Sequence, residues 1–589
     1  MAHSPGVPVL DNTRPGWWRS AVVYQVYPRS FADSDGDGIG DLPGLLGKLD
    51  YLRELGVDVV WVSPFYPSPM VDNGYDISDY QSVEPLFGTL HDVDLLIEGL
   101  HSRGMKLMID LVLNHTSEEH PWFIESRSST DNDKRDWYWW RPAREGHEPG
   151  TPGAEPTNWM GFFSESAWQH DPATDEYYLH IFTHQQPDLN WENPRVREEL
   201  YRMLRWWLDR GVDGFRMDVV NLVSKETSLP DGQPIPGTRF GDGKPYFVCG
   251  PRIHEFMAEF NAEVVAGATK VLMTVGETPG ATTDDARRFC DPENAELDMV
   301  FQFEHMQVDR GEGGRHDPLP MDWPRMKEVL GRWQRELADA GWNSLYWNNH
   351  DQPRAVSRYG DDGEIYRELS AKTLGTVLHC QRGTPFVYQG EELGMTNYPF
   401  TAIDQYDDVQ SRNWFAHAQE LGIDEQTRLA ALAARSRDHA RTPMQWDDSP
   451  NAGFSTGTPW LPVNPNYLDI NAQLQTEDPH SVFAHYQALI RLRHTYPVLV
   501  EGDFTLLLPE HPTVFAYTRR LEDGDGRHEL LVAANCGTED ILPGRLAEEP
   551  EFDRWQDAAL LLGNYADGSG GRTPDSLRPW ESRVYYRSS

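Results

Sequence analysis

Acidic residues close several apolar runs of the sequence, and each run predicts a separate buried strand. Asp218 ends GFRMD, Glu277 ends KVLMTVGE, and Asp351 follows SLYWNNH. A carboxylate placed this deep costs free energy unless it is paired or put to use. An ion pair would explain one acid at one strand end, but three acids on different strands predict a functional site.

Other polar residues occupy equivalent positions at the ends of apolar runs. They are Asp110, Asn114, His115, Asn348, Asn349 and His350. Arg216 lies two residues before Asp218, so the two side chains point to the same side of a strand. Its permanent charge can hold the Asp218 carboxylate ionised and oriented. The acids, histidines and arginine are therefore expected to meet at one mouth.

A repeated order of helix, glycine and apolar run organises much of the chain. The glycines that separate helix from apolar run are Gly56, Gly104, Gly211, Gly341 and Gly383. Glycine is favoured just past a helix end because it adopts the left-handed conformation at little cost. Apolar runs without alternation predict strands that are buried on both faces and hence parallel.

Eight such strands alternating with helices predict an α/β fold, a (β/α)8 TIM barrel with catalytic groups at the C-terminal strand ends. An open doubly wound sheet is the rival arrangement. No G-x-G-x-x-G motif follows a strand to support a dinucleotide-binding version of that sheet. The barrel is therefore the preferred prediction.

The predicted barrel comprises residues 1–115 and 191–500. A Trp-, Pro- and Gly-rich tract at 116–190 predicts an inserted domain after strand 3. A second insertion, about 396–475, follows the eighth strand. Beyond residue 500, short strands and turns predict a C-terminal antiparallel β-domain, a β-sandwich over 501–589.

Composition limits the partners of this 589-residue chain. A formal net charge of −41 at pH 7 disfavours nucleic acid and anionic membranes and is compatible with a neutral small molecule. The chain has 21 Trp, and such rings suit stacking against sugar faces, although most are expected in the core.

Cysteine spacing and the N-terminus add further expectations. Four dispersed cysteines form no C-x-x-C pair, so neither structural zinc nor a disulfide framework is indicated. The segment MAHSPGVPVL lacks a basic stretch followed by an apolar one, and no run of 18 apolar residues occurs. We expect a cytoplasmic protein without an anchor; the sequence does not distinguish monomer from dimer.

The stretch DSDGDGIGDL, residues 33–42, gathers four aspartates and three glycines. Its spacing resembles the calcium loop of an EF-hand, but the closing acidic position is Gly44, and a strand rather than a helix precedes it. Mutual repulsion among the carboxylates excludes a phosphate cradle. A metal site and a solvated turn remain as alternatives.

The chain resembles the α-amylase family (glycoside hydrolase family 13) along nearly its whole length. The matching motifs are DLVLNH at 110–115, GFRMDVVN at 214–221, VGET at 275–278 and NNHD at 348–351. Three further motifs resemble its oligo-1,6-glucosidase and α-glucosidase branch: GYDISDY at 74–80, QPDLN at 186–190 and RTPMQW at 441–446.

The resemblance implies roles for the acids. Asp218 resembles the nucleophile that forms a β-glucosyl-enzyme, Glu277 the general acid and base, and Asp351 the carboxylate that stabilises the transition state. The implied substrate-binding residues are Tyr75, Asp76, His115, Phe182, Arg216, His350 and Arg441. Asp76 and Arg441 are expected to bind hydroxyl groups at the non-reducing end. Val219 resembles the residue of the branch that cleaves α-1,6 links.

The implied activity is that of a retaining, exo-acting α-glucosidase on short α-glucosides, with transglucosylation as a possible addition. The alternatives are a trehalose-forming mutase, a sucrose isomerase or a transglucosylase of the same branch, and, more distantly, a non-catalytic carbohydrate-binding or transporter-associated relative. The resemblance also implies a structural Ca²⁺, with Mg²⁺ as the alternative, and no organic cofactor. Its implied ligands are Asp33, Asp35, Asp37, Asp41 and the carbonyl of Ile39.

Overall fold

Eight parallel strands form the central sheet of the computed structural model, which describes residues 10–542, 551–567 and 576–589. The barrel strands are β1 Val23–Val26, β2 Val59–Val62, β3 Lys106–Val112, β4 Gly214–Asp218, β5 Met273–Glu277, β6 Met299–Phe301, β7 Ser344–Leu345 and β8 Thr384–Tyr388. Strands β1 to β6 pair in chain order, β8 pairs with β1 and with β7, and a bridge from Val300 to Asn343 brings β6 to β7. The sheet is therefore nearly closed, which confirms the predicted barrel.

Helices follow the strands as the sequence pattern predicts. They are α1 Leu49–Leu55, α2 Leu90–Ser102, α3 Pro194–Arg210, α4 Ile253–Phe260, α5 Thr283–Cys290, α6 Trp323–Glu336, α7 Arg367–His379 and α8 Val482–Thr495. Gly56 and Gly211 directly follow α1 and α3 with φ of 98° and 122°. The helix α6 ends at Glu336, five residues before Gly341, so the glycine there marks the strand entry and not the helix end.

The first insertion builds a small antiparallel sheet above the barrel. Its strands are Trp140–Pro142, Trp168–Asp171 and Glu176–Leu179. The segment that leads back to the barrel pairs with the residues just after β3 through a β-bridge between Asp188 and His115. These two residues lie close to 190 and 116, the predicted limits of the insertion. A hairpin after β4, Gln233–Pro234 with Gly241–Asp242, joins it through a bridge from Trp159 to Gly241.

The second insertion is helical where it nears the barrel mouth. Its helices include Val409–Glu420, Glu425–Arg435, Asp438–Arg441 and Ala472–Glu477. The other short helices of the described chain are Leu42–Leu46, Pro121–Ser128, Lys244–Phe247, Ala355–Tyr359 and Pro497–Glu501. None of the helices in the described ranges is long and apolar enough to cross a membrane.

The C-terminal region forms one five-stranded antiparallel sheet of β9 Asp503–Leu507, β10 Val514–Asp523, β11 Gly526–Asn535, β12 Ala559–Gly563 and β13 Ser582–Ser588. One face packs on the barrel core, and the other covers Phe552, Trp555 and Leu577. The antiparallel domain is confirmed, but a second sheet, which a sandwich requires, is absent from the described part of 501–589. The N-terminal stretch 1–9, used for the localisation prediction, and residues 543–550 and 568–575 of this domain lie outside the described ranges.

Candidate active site

The guanidinium of Arg216 lies at the centre of the barrel mouth. Its Nη1 donates to Asp218 (2.7 Å) and to Asp110 (2.9 Å), and its Nη2 lies 2.7 Å from Glu277. Arg216 pairs in register with Asp110 on β3 and Val275 on β5, so the ends of three neighbouring strands converge on it. One cation therefore contacts all three carboxyl groups, and its contact with Asp218 is the one that the sequence predicted.

Burial sets the electrostatics of this cluster, since the side chain of Arg216 is 1 % exposed. Burial raises the pKa of Asp218 well above its ordinary value; Arg216 opposes the rise, and Glu277, which also shares a hydrogen bond with Asp218, adds to it. Burial raises the pKa of Asp110 to about 6, again against Arg216. Asp110 and Asp218, which both accept from Arg216 Nη1, therefore hold a proton more readily than exposed carboxyl groups do.

Val219, directly after Asp218, has an unusual backbone conformation. Its φ of 37° and ψ of 39° lie in the left-handed region, which a β-branched residue rarely adopts. The conformation turns its N–H towards Glu277, to which it donates a hydrogen bond of 3.2 Å. Strain of about 1–3 kcal/mol at such a residue must be offset by its surroundings, and the strained turn directs an N–H group at the carboxyl group of Glu277.

Asp351 is surrounded by cationic and hydrogen-bonding groups of the second insertion. Arg437 and Arg441 reach its Oδ1 at 3.1 and 2.9 Å, and His350 lies 3.4 Å from its Oδ2. Burial alone would raise the pKa of Asp351, but His350, Arg437 and Arg441 hold it well below its usual range. Asp351 is therefore a fixed anion, in contrast to Asp110 and Asp218 beside Arg216, whose pKa values are raised.

His350 is held between two tyrosine rings. It stacks on Tyr75 with centroids 5.0 Å apart and an interplanar angle of 6°, and on Tyr27 at 6.1 Å. Gln25 Nε2 lies 2.8 Å from His350 Nδ1, so Nδ1 acts as the acceptor and Nε2 carries the hydrogen. Burial lowers the pKa of His350 to about 3, which keeps it neutral. Tyr75 in turn donates to Asp110 at 2.9 Å.

His115 is fixed by a buried chain of donors. Lys225 Nζ donates to Asn114 Oδ1 at 3.0 Å and pairs with Asp188 at 2.9 Å, and Asn114 Nδ2 lies 3.2 Å from His115 Nδ1. His115 Nε2 then donates to the carbonyl of Tyr75 at 3.1 Å. Burial lowers the pKa of His115 to about 4, so it too is neutral.

Two of the predicted sugar-binding residues do not face the pocket. The carboxylate of Asp76 accepts from Ser68 Oγ and from the backbone N–H groups of Val71 and Asp72 at 2.9–3.1 Å, and it is fully buried within its own loop. Arg441 lies behind Asp351 and donates to the carbonyl of His350 at 3.0 Å. Neither lines the cavity, so their assignment to direct contact with the substrate is wrong.

Asp72 and Arg437 occupy the place that was predicted for Asp76 and Arg441. They form a buried salt bridge of 3.0 Å and both line the cavity. Asp408 braces Arg437 from behind, accepting from its Nε at 2.9 Å and its Nη2 at 2.6 Å. The same carboxylate accepts from the N–H groups of Gln410 and Ser411, and so caps the helix Val409–Glu420.

The cavity has two connected parts. The inner pocket has an empty volume of about 670 Å³ and is lined by Asp72, Tyr75, His115, Phe162, Phe163, Phe182, Asp218, Val219, Glu277, Pro279, Phe303, Arg315, Asp351, Gln410 and Arg437. The outer chamber, of about 1390 Å³, shares Phe162, Phe163, Pro279, Phe303, Arg315, Asp351 and Gln410 with it and adds residues further from the acids. Of the predicted residues, His350 and Arg216 support the walls and do not line them.

The aspartate loop lies apart from this cavity. Asp33, Asp35 and Asp37 each offer one oxygen, and these atoms lie within 4.8 Å of one another. Asp41 is turned away: it accepts from Gly44 N–H at 2.6 Å, capping the helix Leu42–Leu46, and from Ser34. Trp460 of the second insertion donates to the carbonyl of Gly38 at 3.0 Å. At Gly38 (φ 95°) a Cβ would lie 1.9 Å from the carbonyl oxygen of Thr458, so the close approach requires glycine.

The alpha-amylase catalytic-domain family model matches residues 25–502 of the chain. The chain belongs to the alpha-amylase family. Among the relatives of this glycoside hydrolase, an oligo-1,6-glucosidase of Parageobacillus thermoglucosidasius is 53% identical over 571 residues, 97% of this chain and 98% of that protein. The structure of trehalose-6-phosphate hydrolase from Bacillus licheniformis is 44% identical with a TM-score of 0.88, covering 97% of this chain and 100% of that one. The trehalulose synthase of Pseudomonas mesoacidophila MX-45 is 43% identical with a TM-score of 0.88, covering 99% and 100%.

The cavity of this alpha-amylase family member is also built from residues that the sequence analysis missed, namely Asp72, Phe162, Phe163, Asp408 and Arg437. Asp72 lies two residues before the recognised motif GYDISDY, and Arg437 lies four residues before RTPMQW, so both residues fall just outside the motifs from which Asp76 and Arg441 were chosen. Asp72 could have been found as the acid nearest to Tyr75 on its N-terminal side. No sequence signal distinguishes Asp408 from the many other acids of this chain.

Proposed function

We propose that the protein is a retaining, exo-acting α-glucosidase that releases glucose from the non-reducing end of short α-glucosides. The observation that carries the proposal is the bridging of Asp218 and Glu277 by Arg216 at the floor of a pocket with the Asp72–Arg437 pair on its wall. The names of the oligo-1,6-glucosidase relatives support the same substrate class.

In this mechanism Asp218 attacks the anomeric carbon of the bound glucosyl unit. Glu277 donates its proton to the departing glycosidic oxygen, and a β-glucosyl-enzyme ester forms on Asp218. Glu277 then takes a proton from the incoming water, which displaces Asp218 and gives glucose with its original configuration. Asp351, the fixed anion, stabilises the positive charge that develops on the sugar ring in both steps.

The spacing of the acids supports retention. Retaining glycosidases hold their carboxyl groups about 5–5.5 Å apart, whereas inverting enzymes leave about 6.5–9.5 Å for a water between them. Asp218 and Glu277 each lie 2.7 Å from a nitrogen of the same guanidinium, so their carboxyl groups are neighbours, as retention requires.

The wall formed by Asp72 and Arg437 supports exo-action. Charged groups at 3.0 Å from one another are suited to bind the hydroxyl groups of a terminal sugar, and they obstruct the path that a longer chain would take. Val219 lines the pocket beside the nucleophile and supports a preference for α-1,6 over α-1,4 links. Transglucosylation arises if a sugar hydroxyl intercepts the same intermediate.

Product analysis tests this proposal against its alternatives. Incubation with isomaltose, maltose, sucrose and trehalose should give glucose as the main product, and NMR should detect the α-anomer first. Trehalose formed from maltose would identify a mutase, and an isomeric disaccharide formed from sucrose would identify an isomerase. Either result, or initial β-glucose, would overturn the proposal.

We also propose that the aspartate loop binds a structural Ca²⁺ or Mg²⁺. Burial raises the pKa of Asp37, and the charges of Asp35, Asp33 and Asp41 add to the rise. This repulsion among oxygen donors is what a hard divalent cation would offset. Asp33, Asp35 and Asp37 fit such an ion, whereas the hydrogen bonds of Asp41 assign it to capping. The ion would order the loop against the second insertion and take no part in the chemistry.

A further inference from the structure

The outer chamber reverses the charge balance of the protein. The chain has 93 acidic against 52 basic residues, yet this chamber is lined by Lys244, Arg310 and Arg315 and by a single carboxylate. That carboxylate is Asp351, which Arg437 and Arg441 already hold. Among the described residues, the lining of the chamber therefore offers its cations no free carboxylate.

Arg310 is the clearest sign of a missing partner. It is mostly buried, and among the described residues its side chain makes no hydrogen bond and no ion pair; its Nε is fully buried without an acceptor. The neighbouring Asp309 is occupied by Arg358 at 2.8 Å and Arg435 at 2.6 Å. Leaving the Nε donor unsatisfied in a buried place is costly, and the Nη donors of Arg310, which are not fully buried, remain available to a ligand.

Arg315 adds a second positive charge without a carboxylate. It donates to the backbone carbonyls of Asp351 and Arg435 and to no acidic side chain among the described residues. Burial lowers the pKa of Arg315 to about 9, and the charge of Arg310 contributes to the lowering. His316 follows and stacks on Trp414, with centroids 4.2 Å apart, which gives the chamber a flat aromatic surface.

We propose that the outer chamber binds an anionic group, a phosphate monoester or a carboxylate, carried by the leaving group of the substrate. Arg310 is the principal donor, with Arg315 and Lys244 beside it. This inference rests on the proposed function, because the glucosyl unit in the inner pocket places the leaving group in the chamber beyond Pro279 and Phe303. A planar guanidinium matches two oxygens of either anion.

Aryl α-glucosides that differ in one para substituent test the inference. The arms carry a phosphate monoester, a carboxylate and an uncharged carboxamide, and kcat/KM is measured for each. Arg310→Gln should lower the ratio of anionic to carboxamide substrate about tenfold, which is typical of one charge-assisted contact. Comparison of the same substrates in both enzymes cancels differences between the leaving groups. The two anionic arms show whether phosphate or carboxylate is preferred.

Matched variants control for net charge. Arg53→Gln removes one exposed positive charge on α1 and should leave the ratio unchanged. Arg310→Lys keeps the positive charge but loses the planar guanidinium that can bind two oxygens at once. It should therefore retain part of the preference for anionic over carboxamide substrates. A ratio that is equal in the wild type and in Arg310→Gln would overturn the inference while the carboxamide glucoside is still hydrolysed. Loss of carboxamide hydrolysis in the wild type would instead contradict the proposed glucosidase.

Discussion

The catalytic rim and the aspartate loop are both clusters of carboxylates, and they differ in what faces them. At the rim, Asp218 and Glu277 are buried and contact Arg216. In the loop, Asp35 and Asp37 are exposed and accept only from backbone N–H groups, at 3.1 and 2.8 Å. The rim supplies its own countercharge, whereas the loop lacks a basic side chain within hydrogen-bond range among the described residues.

The difference shows how one residue type serves two purposes. A guanidinium fixed by the fold orients carboxylates and shifts their proton affinities, which acid–base and nucleophilic chemistry requires. Backbone amides align carboxylates without neutralising them, and the remaining charge favours a diffusible cation. The cluster around Arg216 is therefore suited to catalysis. The aspartate loop is suited to stabilising the fold only when a cation is bound.

Removal of Asp218, the proposed nucleophile, should have the largest effect. Asp218→Asn is expected to lower kcat by about 10⁴-fold or more, because the amide cannot form the ester intermediate. Steady-state assays measure the loss, and circular dichroism checks the fold. The matched Asp35→Asn change in the loop should leave kcat within about twofold. Similar kcat losses in both variants would remove the distinction between the two clusters.

The two neighbouring acids Asp72 and Asp76 offer a sharper comparison. Asp72→Asn should lower kcat/KM by about 10- to 150-fold, since charge-assisted hydrogen bonds contribute about 1.5–3 kcal/mol. Asp76→Asn should leave kcat/KM nearly unchanged and lower the melting temperature, because it disturbs the amides of Val71 and Asp72. The reverse pattern of kinetics and melting would restore Asp76 as the sugar ligand.

Chelation should produce the smallest of these effects and should be confined to stability. Saturating Ca²⁺ at a single site contributes about 2.7 kcal/mol at a concentration 100 times its Kd, so EDTA is expected to lower the melting temperature of this long chain by about 2 °C. Differential scanning calorimetry measures the shift, and kcat at 25 °C should not change. In Asp33→Ala, EDTA should have no further effect; an undiminished shift would locate the ion elsewhere.

The barrel could be predicted from the sequence because its signals are local and repeated. Buried parallel strands have uninterrupted apolar sequences, and the helices between them end near glycines. The stretches VVWV (β2) and GFRMD (β4) could therefore be recognised as strands from the sequence alone. Asp218, Glu277 and Asp351 were found because a charge at the end of such a run is conspicuous. The C-terminal domain was recognised as antiparallel, but its number of sheets depends on packing that alternation alone does not specify.

The wrong assignments share one cause. Asp76 and Arg441 each lie four residues from the residue that lines the pocket, Asp72 and Arg437. In each pair both candidates have the right chemistry, and only the path of the backbone decides which one faces the cavity. Arg437 precedes the short helix Asp438–Arg441 and Arg441 is its last residue, and both guanidinium groups reach Oδ1 of Asp351.

Asp408 makes the second insertion inseparable from the reaction centre. Its carboxylate both starts the helix Val409–Glu420 and holds Arg437, and it is completely buried. The insertion is therefore not an exchangeable module. A chimaera that imports this segment from another member of the family would inherit a working sugar pocket only if the incoming helix begins with a carboxylate in the same place, whatever the rest of its sequence.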